Sequence, residues 1–184
     1  MGGIVCLYSV TLTKPVSSVQ SHAWQQVILD ALHGTPVVVD RSQKPRALNA
    51  GIEWSVTHTR HLWLMGTYSH PIGIDAEPCD RMISDAVLYR GYPPDSHRPT
   101  IVNRVRYWTQ FEAQAKLSGQ GIRFPIPTDF CADLKTVSWQ SHWVTVAAVQ
   151  PFAGVKVAAI GYPQNGSEWH DGTWRWLEPS ASMA

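Results

Sequence analysis

The sequence predicts an α+β fold made of two similar halves, residues 1–71 and 72–184, within one domain spanning 1–184. Two observations carry this. Stretches with period-two alternation are separate from stretches with helical periodicity, and each half runs strand, helix or helices, then a strand pair. The segment WSVTHTRHLWLMG (54–66) also resembles VSWQSHWVTVAAV (137–149). A duplicated α+β unit of this kind places a ligand cleft between the halves, with Asp75 near the crossing point.

The elements follow in order. Gly3 to Thr11 alternates β-branched and apolar residues and reads as a strand, broken by Lys14-Pro15. Ser17 or Ser18 caps a helix through Trp24, Val27, Ile28 and Leu32, with Gly34 just past its end. Val37 to Val39 is a short strand, and Arg41 to Arg46 a polar loop. Trp54 to Ser69 is two strands around a turn near Thr59 and Arg60. Pro71 and Gly73 punctuate before a strand carrying Asp75. Asp80 to Tyr89 reads as a helix, Gly91 to Pro99 as a loop, and Thr100 to Ser118 as the longest helix, ended by Gly119 and Gly121. Phe124 to Pro127 is extended, Lys135 to Val149 a hairpin, Val155 to Ile160 a strand, and Trp174 to Trp176 a last strand or a segment lying against the body.

With 184 residues, the chain can bury most of its apolar surface without staples. Its 15 basic and 14 acidic residues give a net charge of +1, which argues against nucleic-acid binding by bulk charge, so any anion site is local. Nine tryptophans are read as core and pocket lining. Cys6, Cys79 and Cys131 are odd in number and widely spaced, which fits neither a disulfide framework nor a CxxC site and points to a reducing compartment. The opening MGGIVCLYSV lacks a basic flank and is too short for a signal peptide or membrane span. The expectation is a cytoplasmic protein, monomeric, with no membrane attachment and no nucleic-acid partner.

Two short stretches carry the chemistry. In Ile72-Gly73-Ile74-Asp75-Ala76-Glu77, alternate strand residues share a face, so Asp75 and Glu77 can share one cation. The alternative is two solvated carboxylates on an edge strand, but the apolar run before them implies burial, and buried carboxylates need partners. In Trp108-Thr109-Gln110-Phe111-Glu112-Ala113-Gln114-Ala115-Lys116, the i,i+4 spacing aims Glu112 and Lys116 at one object. The same spacing also makes an ordinary helix-surface ion pair, contributing roughly 0.2–0.5 kcal/mol. Three carboxylates and an ammonium suit Mg²⁺ on a phosphorylated ligand, the oxygens holding the hard cation and the lysine meeting phosphate charge. His58 and His61 form HxxH without a third zinc ligand, so His58 reads as a hydrogen-bonding residue at a hairpin turn. Thr57, His58 and Lys44 could each reach a phosphate or ribose.

The order Lys44-Pro45, Thr57-His58 in a hairpin, Gly73-Ile74-Asp75-Ala76-Glu77, then Trp108…Glu112-Ala113…Lys116 with Gly119-Gln120-Gly121 after it resembles the 4′-phosphopantetheinyl transferases. The spacing is similar to the larger, single-chain class that activates surfactin-type synthetases, over roughly Val37 to Val149. The resemblance implies two α+β halves with coenzyme A between them as substrate. It implies Mg²⁺, or Mn²⁺, on the pyrophosphate, held by Asp75, Glu77 and Glu112, with Lys116 also contacting the pyrophosphate. Thr57, His58 and Lys44 would meet the 3′-phosphate, and an apo acyl or peptidyl carrier protein would supply the attacking serine. Glu112 would be the general base, and the metal and Lys116 would stabilise the departing 3′,5′-adenosine bisphosphate.

Three departures stand out. Phe111 occupies the place of a lysine in the family pattern, removing one basic group beside the pyrophosphate, and on that reading Phe111→Lys is expected to be tolerated. The segment Thr13 to Gln20 is short and holds only Lys14, leaving Arg41 or Arg46 to help grip the 3′-phosphate. The region from Asp80 to Trp108, where carrier docking is expected, is compact and proline-bearing. These departures motivate an alternative, a catalytically weak relative that binds coenzyme A or a carrier domain. A different Mg²⁺-phosphate enzyme on the same scaffold is a third reading.

Overall fold

The computed structural model describes residues 3–41, 44–88, 101–119, 133–159 and 175–177. Strand β1 (Ile4–Thr11) is followed by helix α1 (Ser18–His33), the short strands β2 (Val39–Asp40) and β3 (Arg46–Ala47), and the hairpin β4 (Glu53–His58) and β5 (Leu62–Tyr68). Then come β6 (Ile72–Pro78), the single turn α2 (Asp85–Leu88), α3 (Ile101–Ser118), the hairpin β7 (Asp133–Trp139) and β8 (His142–Ala148), β9 (Gly154–Ala159) and β10 (Arg175–Leu177). One sheet has the order β10-β9-β1-β5-β4 and a second the order β6-β8-β7, while β2 and β3 form a separate ribbon. The fold is therefore mixed α+β, as the sequence predicts.

Helix α1 forms where its caps specify. The Ser17 hydroxyl accepts from the Gln20 amide, and the Gln20 side chain accepts from the Ser17 amide, a complete capping box. Gly34 ends the helix at φ 75°, a left-handed conformation that costs glycine little, and donates to the Asp30 carbonyl. The buried face, Trp24, Ile28 and Leu29 among others, packs with Tyr8, Val10, Trp54, Trp63 and Met65 on one side of the large sheet. Trp24 and Trp63 meet edge to face at 5.3 Å.

The opposite side of that sheet supplies Val5, Leu7, Leu62 and Leu64 to a second core, shared with Ile72, Ile74, Ala76, Val144, Val146 and Ala148 of the smaller sheet. Period-two alternation makes this possible, because β1, β5, β6 and β8 each send alternate residues to different layers. The far side of the smaller sheet is covered by α3, whose Ala113 and Leu117 cluster with Ala147. The layers thus run α1, large sheet, small sheet, α3. The paired strands follow the same pattern in both sheets: β1 is antiparallel to β5 and β5 to β4, while β6 is antiparallel to β8 and β8 to β7. Strand β9 lies parallel to β1 and so belongs to the large sheet.

The structure corrects some boundaries. The helix expected from Asp80 to Tyr89 is reduced to Asp85–Leu88, because Arg81 donates its amide to the Pro78 carbonyl and uses the preceding residues in a turn. Within the expected polar loop, Arg46–Ala47 pairs with Val39–Asp40. Gln140 and Ser141, at φ 46° and 61°, form the two-residue turn between β7 and β8, a left-handed pair that matches the twist of a tight hairpin. The expected extended segment Phe124 to Pro127, the proline-bearing loop from Gly91 to Pro99, Gly121 and Cys131 lie outside the described residues. Cys6 and Cys79 are free thiols. Among the described residues, no helix is long and apolar enough to cross a membrane.

Phe111 overturns its expectation. It is only 6 % exposed, clustered with Ile83, Leu88, Val105 and Trp108, and stacked on the Trp108 ring at 5.6 Å. A lysine there would bury an ammonium in an apolar cluster and forfeit the ring packing. We expect Phe111→Lys to destabilise the protein by about 3 kcal/mol or more, read as a lowered midpoint in urea unfolding; an unchanged midpoint would show that the side chain escapes to solvent.

Candidate metal centre and adjoining cavity

Alternation along β6 sends Ile72, Ile74 and Ala76 into the core, leaving Gly73, Asp75 and Glu77 on the side facing α3. Gly73 sets how close the helix comes. A Cβ at this position would overlap the Ala113 carbonyl oxygen and the Leu117 amide nitrogen and lie 3.0 Å from the Leu117 Cα. The backbone of α3 therefore rests on the backbone of β6, and Glu112 and Lys116, beside the Ala113–Leu117 contact stripe, reach the carboxylates on the strand.

Asp75 is 2 % exposed, and its two oxygens differ. Oδ1 accepts from Lys116 Nζ at 2.8 Å and from Thr57 Oγ1 at 3.0 Å. Oδ2 is buried with no hydrogen-bond partner. Glu77 is also buried and forms an ion pair with Arg81. Asp75, Glu77 and Glu112 each offer an oxygen, and these atoms lie within 4.8 Å of one another. Among the described residues, they form the one group of three or more His, Cys, Asp or Glu side chains converging in this way.

Burial pushes the Glu112 carboxyl up to about 7, helped by the negative charge of nearby Asp75. Lys116 and Arg81 pull it the other way. Once Glu112 ionises, two carboxylates stand close together, and Asp75 Oδ2 has no hydrogen-bond partner to offset the repulsion. A hard divalent cation would satisfy the orphan oxygen and remove the repulsion together. The all-oxygen donor set suits a hard cation rather than a soft metal.

A cavity of about 350 Å³ lies next to this centre, lined by residues including His22, Gln25, Lys44, Trp54, Ser55 and Lys116. Lys116 thus joins the acidic centre to the cavity. Lys44 also lines it, but its ammonium donates to the carbonyls of Ile72 at 3.1 Å and Leu117 at 3.3 Å, tying the end of α3 to the start of β6. Burial lowers its proton affinity. Arg41 donates to Gln25 Oε1, which also accepts from the Trp54 indole.

Thr57 and His58 do not converge. Thr57 is buried against Asp75, whereas the next residue along the strand, His58, is exposed. Neither His58 nor His61 takes part in the convergent group.

Three contributors escaped the sequence reading. Ser55 Oγ accepts from the Ile74 amide at 3.0 Å and, with Thr57, fastens the edge of β4 to the edge of β6. The i,i+2 hydroxyls of Ser55 and Thr57 were the available signal. Thr145, opposite Asp75 on β8, bonds to Thr109 of α3 at 2.9 Å and to Thr136 of β7 at 3.0 Å, a buried hydroxyl link beneath the helix. Arg81 on Glu77 is the third; it sits four residues after the carboxylate in a region read as helix.

No protein-family model matches the chain, and no curated protein matches it.

Gly73→Ala should cost about 3 kcal/mol or more, since relief requires backbone to move, read as a lowered midpoint in urea unfolding. In metal-free protein the sign for Glu112 is fixed. Its folded-state proton affinity lies above its ordinary one, so its contribution to stability falls as pH rises from 4.5 to about 7 and is level beyond. The stability of wild type relative to Glu112→Gln, from urea unfolding in chelator, should therefore decline across that window. A flat difference would mean that Glu112 is not held near Asp75.

Proposed function

We propose that this protein transfers the 4′-phosphopantetheine arm of coenzyme A to a serine hydroxyl of an apo acyl or peptidyl carrier protein in a divalent-cation-dependent reaction. The observation that carries the reading is the convergence of Asp75, Glu77 and Glu112, with Lys116 bonded to Asp75 at the edge of a cavity. These residues also stand in the motif order of that family. We read the matching strand orders of the two sheets as a duplicated unit, with halves 1–71 and 72–184, and the cavity as part of the ligand cleft.

Asp75, Glu77 and Glu112 would hold the cation, which when bound neutralises pyrophosphate charge. Lys116, partly exposed on the cavity side, meets the phosphate oxygens whose charge grows as the bond to 3′,5′-adenosine bisphosphate breaks. Glu112 accepts the proton of the attacking serine hydroxyl. The buried backbone of β6 and α3 keeps these groups in fixed relation, which matters because phosphoryl transfer runs largely on positioning and electrostatics. The chain itself needs no nucleophile, and its three carboxylates lie on one copy, so a monomer could carry the reaction.

A specific observation favours the second reading, a weak catalyst that binds coenzyme A or a carrier domain. Phe111 faces its apolar cluster, and the Lys44 ammonium is already committed to two carbonyls, so the grip on phosphate is thin. Incubation with coenzyme A, Mg²⁺ and a panel of apo carrier domains, followed by mass spectrometry, separates the two. Transfer adds the phosphopantetheine mass to a carrier; binding without that gain supports the second reading. We expect Asp75→Ala and Glu112→Ala each to cut transfer by about 100-fold or more while leaving the circular dichroism spectrum unchanged. Near-normal turnover in either would remove that residue from the site.

A further inference from the structure

We propose that Arg81 is a displaceable internal counter-ion that occupies Glu77 until a divalent cation takes its place. The inference rests on the metal-site reading of Asp75, Glu77 and Glu112. Two observations on Arg81 itself carry it further. Its backbone is fixed: the Arg81 amide donates to the Pro78 carbonyl at 3.0 Å, and the Cys79 amide donates to Ser141 in the β7–β8 turn at 2.9 Å. Its side chain is not enclosed. The guanidinium pairs with Glu77 while 45 % of the side chain remains exposed, against 9 % for Glu77. The anchor therefore stays while the charged end can leave for water.

Charge decides the direction. With Glu112 ionised, three carboxylates face two cations, Lys116 on Asp75 and Arg81 on Glu77. A dication and Lys116 together balance the three carboxylates, so Arg81 becomes surplus. It would then repel the metal from a short distance and compete for a Glu77 oxygen. Arg81 thus performs two tasks: it holds the Glu77 side chain in place before the metal arrives, and it sets the concentration at which the metal can enter.

The test uses the full chain and MgCl₂ or MnCl₂ alone, titrated by calorimetry at low ionic strength. Arg81→Gln should bind either ion roughly three- to tenfold more tightly than wild type, and Arg81→Lys, which keeps the charge but loses the planar fork, should fall between them. In wild type labelled at arginine side-chain nitrogens, the Arg81 resonance should move on adding Mg²⁺ toward the position of a free guanidinium. Equal or weaker binding by Arg81→Gln overturns the displacement, whatever the transfer assay shows. Absence of binding by every form overturns the metal site as well. Tighter binding with no carrier modification upholds the displacement and counts against the transfer reaction alone.

Discussion

Backbone lying on backbone at Gly73 is the contact on which the acidic centre depends. Strand β6 carries two of the carboxylates and α3 carries the third with the lysine, and nothing in local sequence forces these elements together. Their spacing is set by an absent side chain, since even one carbon at Gly73 would meet the Ala113 carbonyl and the Leu117 amide. Lys44 fastens the same junction from outside, holding carbonyls of Ile72 and Leu117 with one ammonium. Thr145 and Thr109 fasten it from beneath. A lysine that sequence reasoning assigns to the ligand thus has a mechanical role as well.

The electrostatics follow from that proximity. Like charges this close in a poorly solvated site oppose one another, and the chain relieves the repulsion unevenly. Asp75 receives Lys116 and Thr57 on one oxygen, Glu77 receives Arg81, and Glu112 is left to hold its proton up to near neutrality. The unequal treatment separates the roles of the three groups: Asp75 is immobile, Glu77 is guarded, and Glu112 exchanges a proton in the pH range where the proposed chemistry would run.

Much of this was readable in the sequence because it is local. Ser17, Gln20 and Gly34 bracket α1 by chemistry acting over a few residues, and the alternation in Ile72 to Glu77 assigns faces without knowledge of the neighbours. What could not be read is long-range. The parallel pairing of β9 with β1 joins residues about 150 apart, and the bonds from Ser55 and Thr57 to β6 depend on how two sheets meet. Phe111 is a different failure. Its i,i+3 relation to Trp108 already placed it on the apolar stripe of α3, a full helical step around from Glu112. A motif position by itself does not show which face of the helix a residue occupies.

The seam between β4 and β6 has a further effect on behaviour in concentrated solution. Each is the outermost strand of its sheet, and an uncovered outermost strand is a template on which foreign chains can add and aggregate. Here the two margins meet, and the Ser55 hydroxyl occupies the Ile74 amide that a stray strand would seek. The Ser55 hydroxyl, which helps to fasten the strand carrying the acidic centre, therefore also removes one amide through which another chain could add.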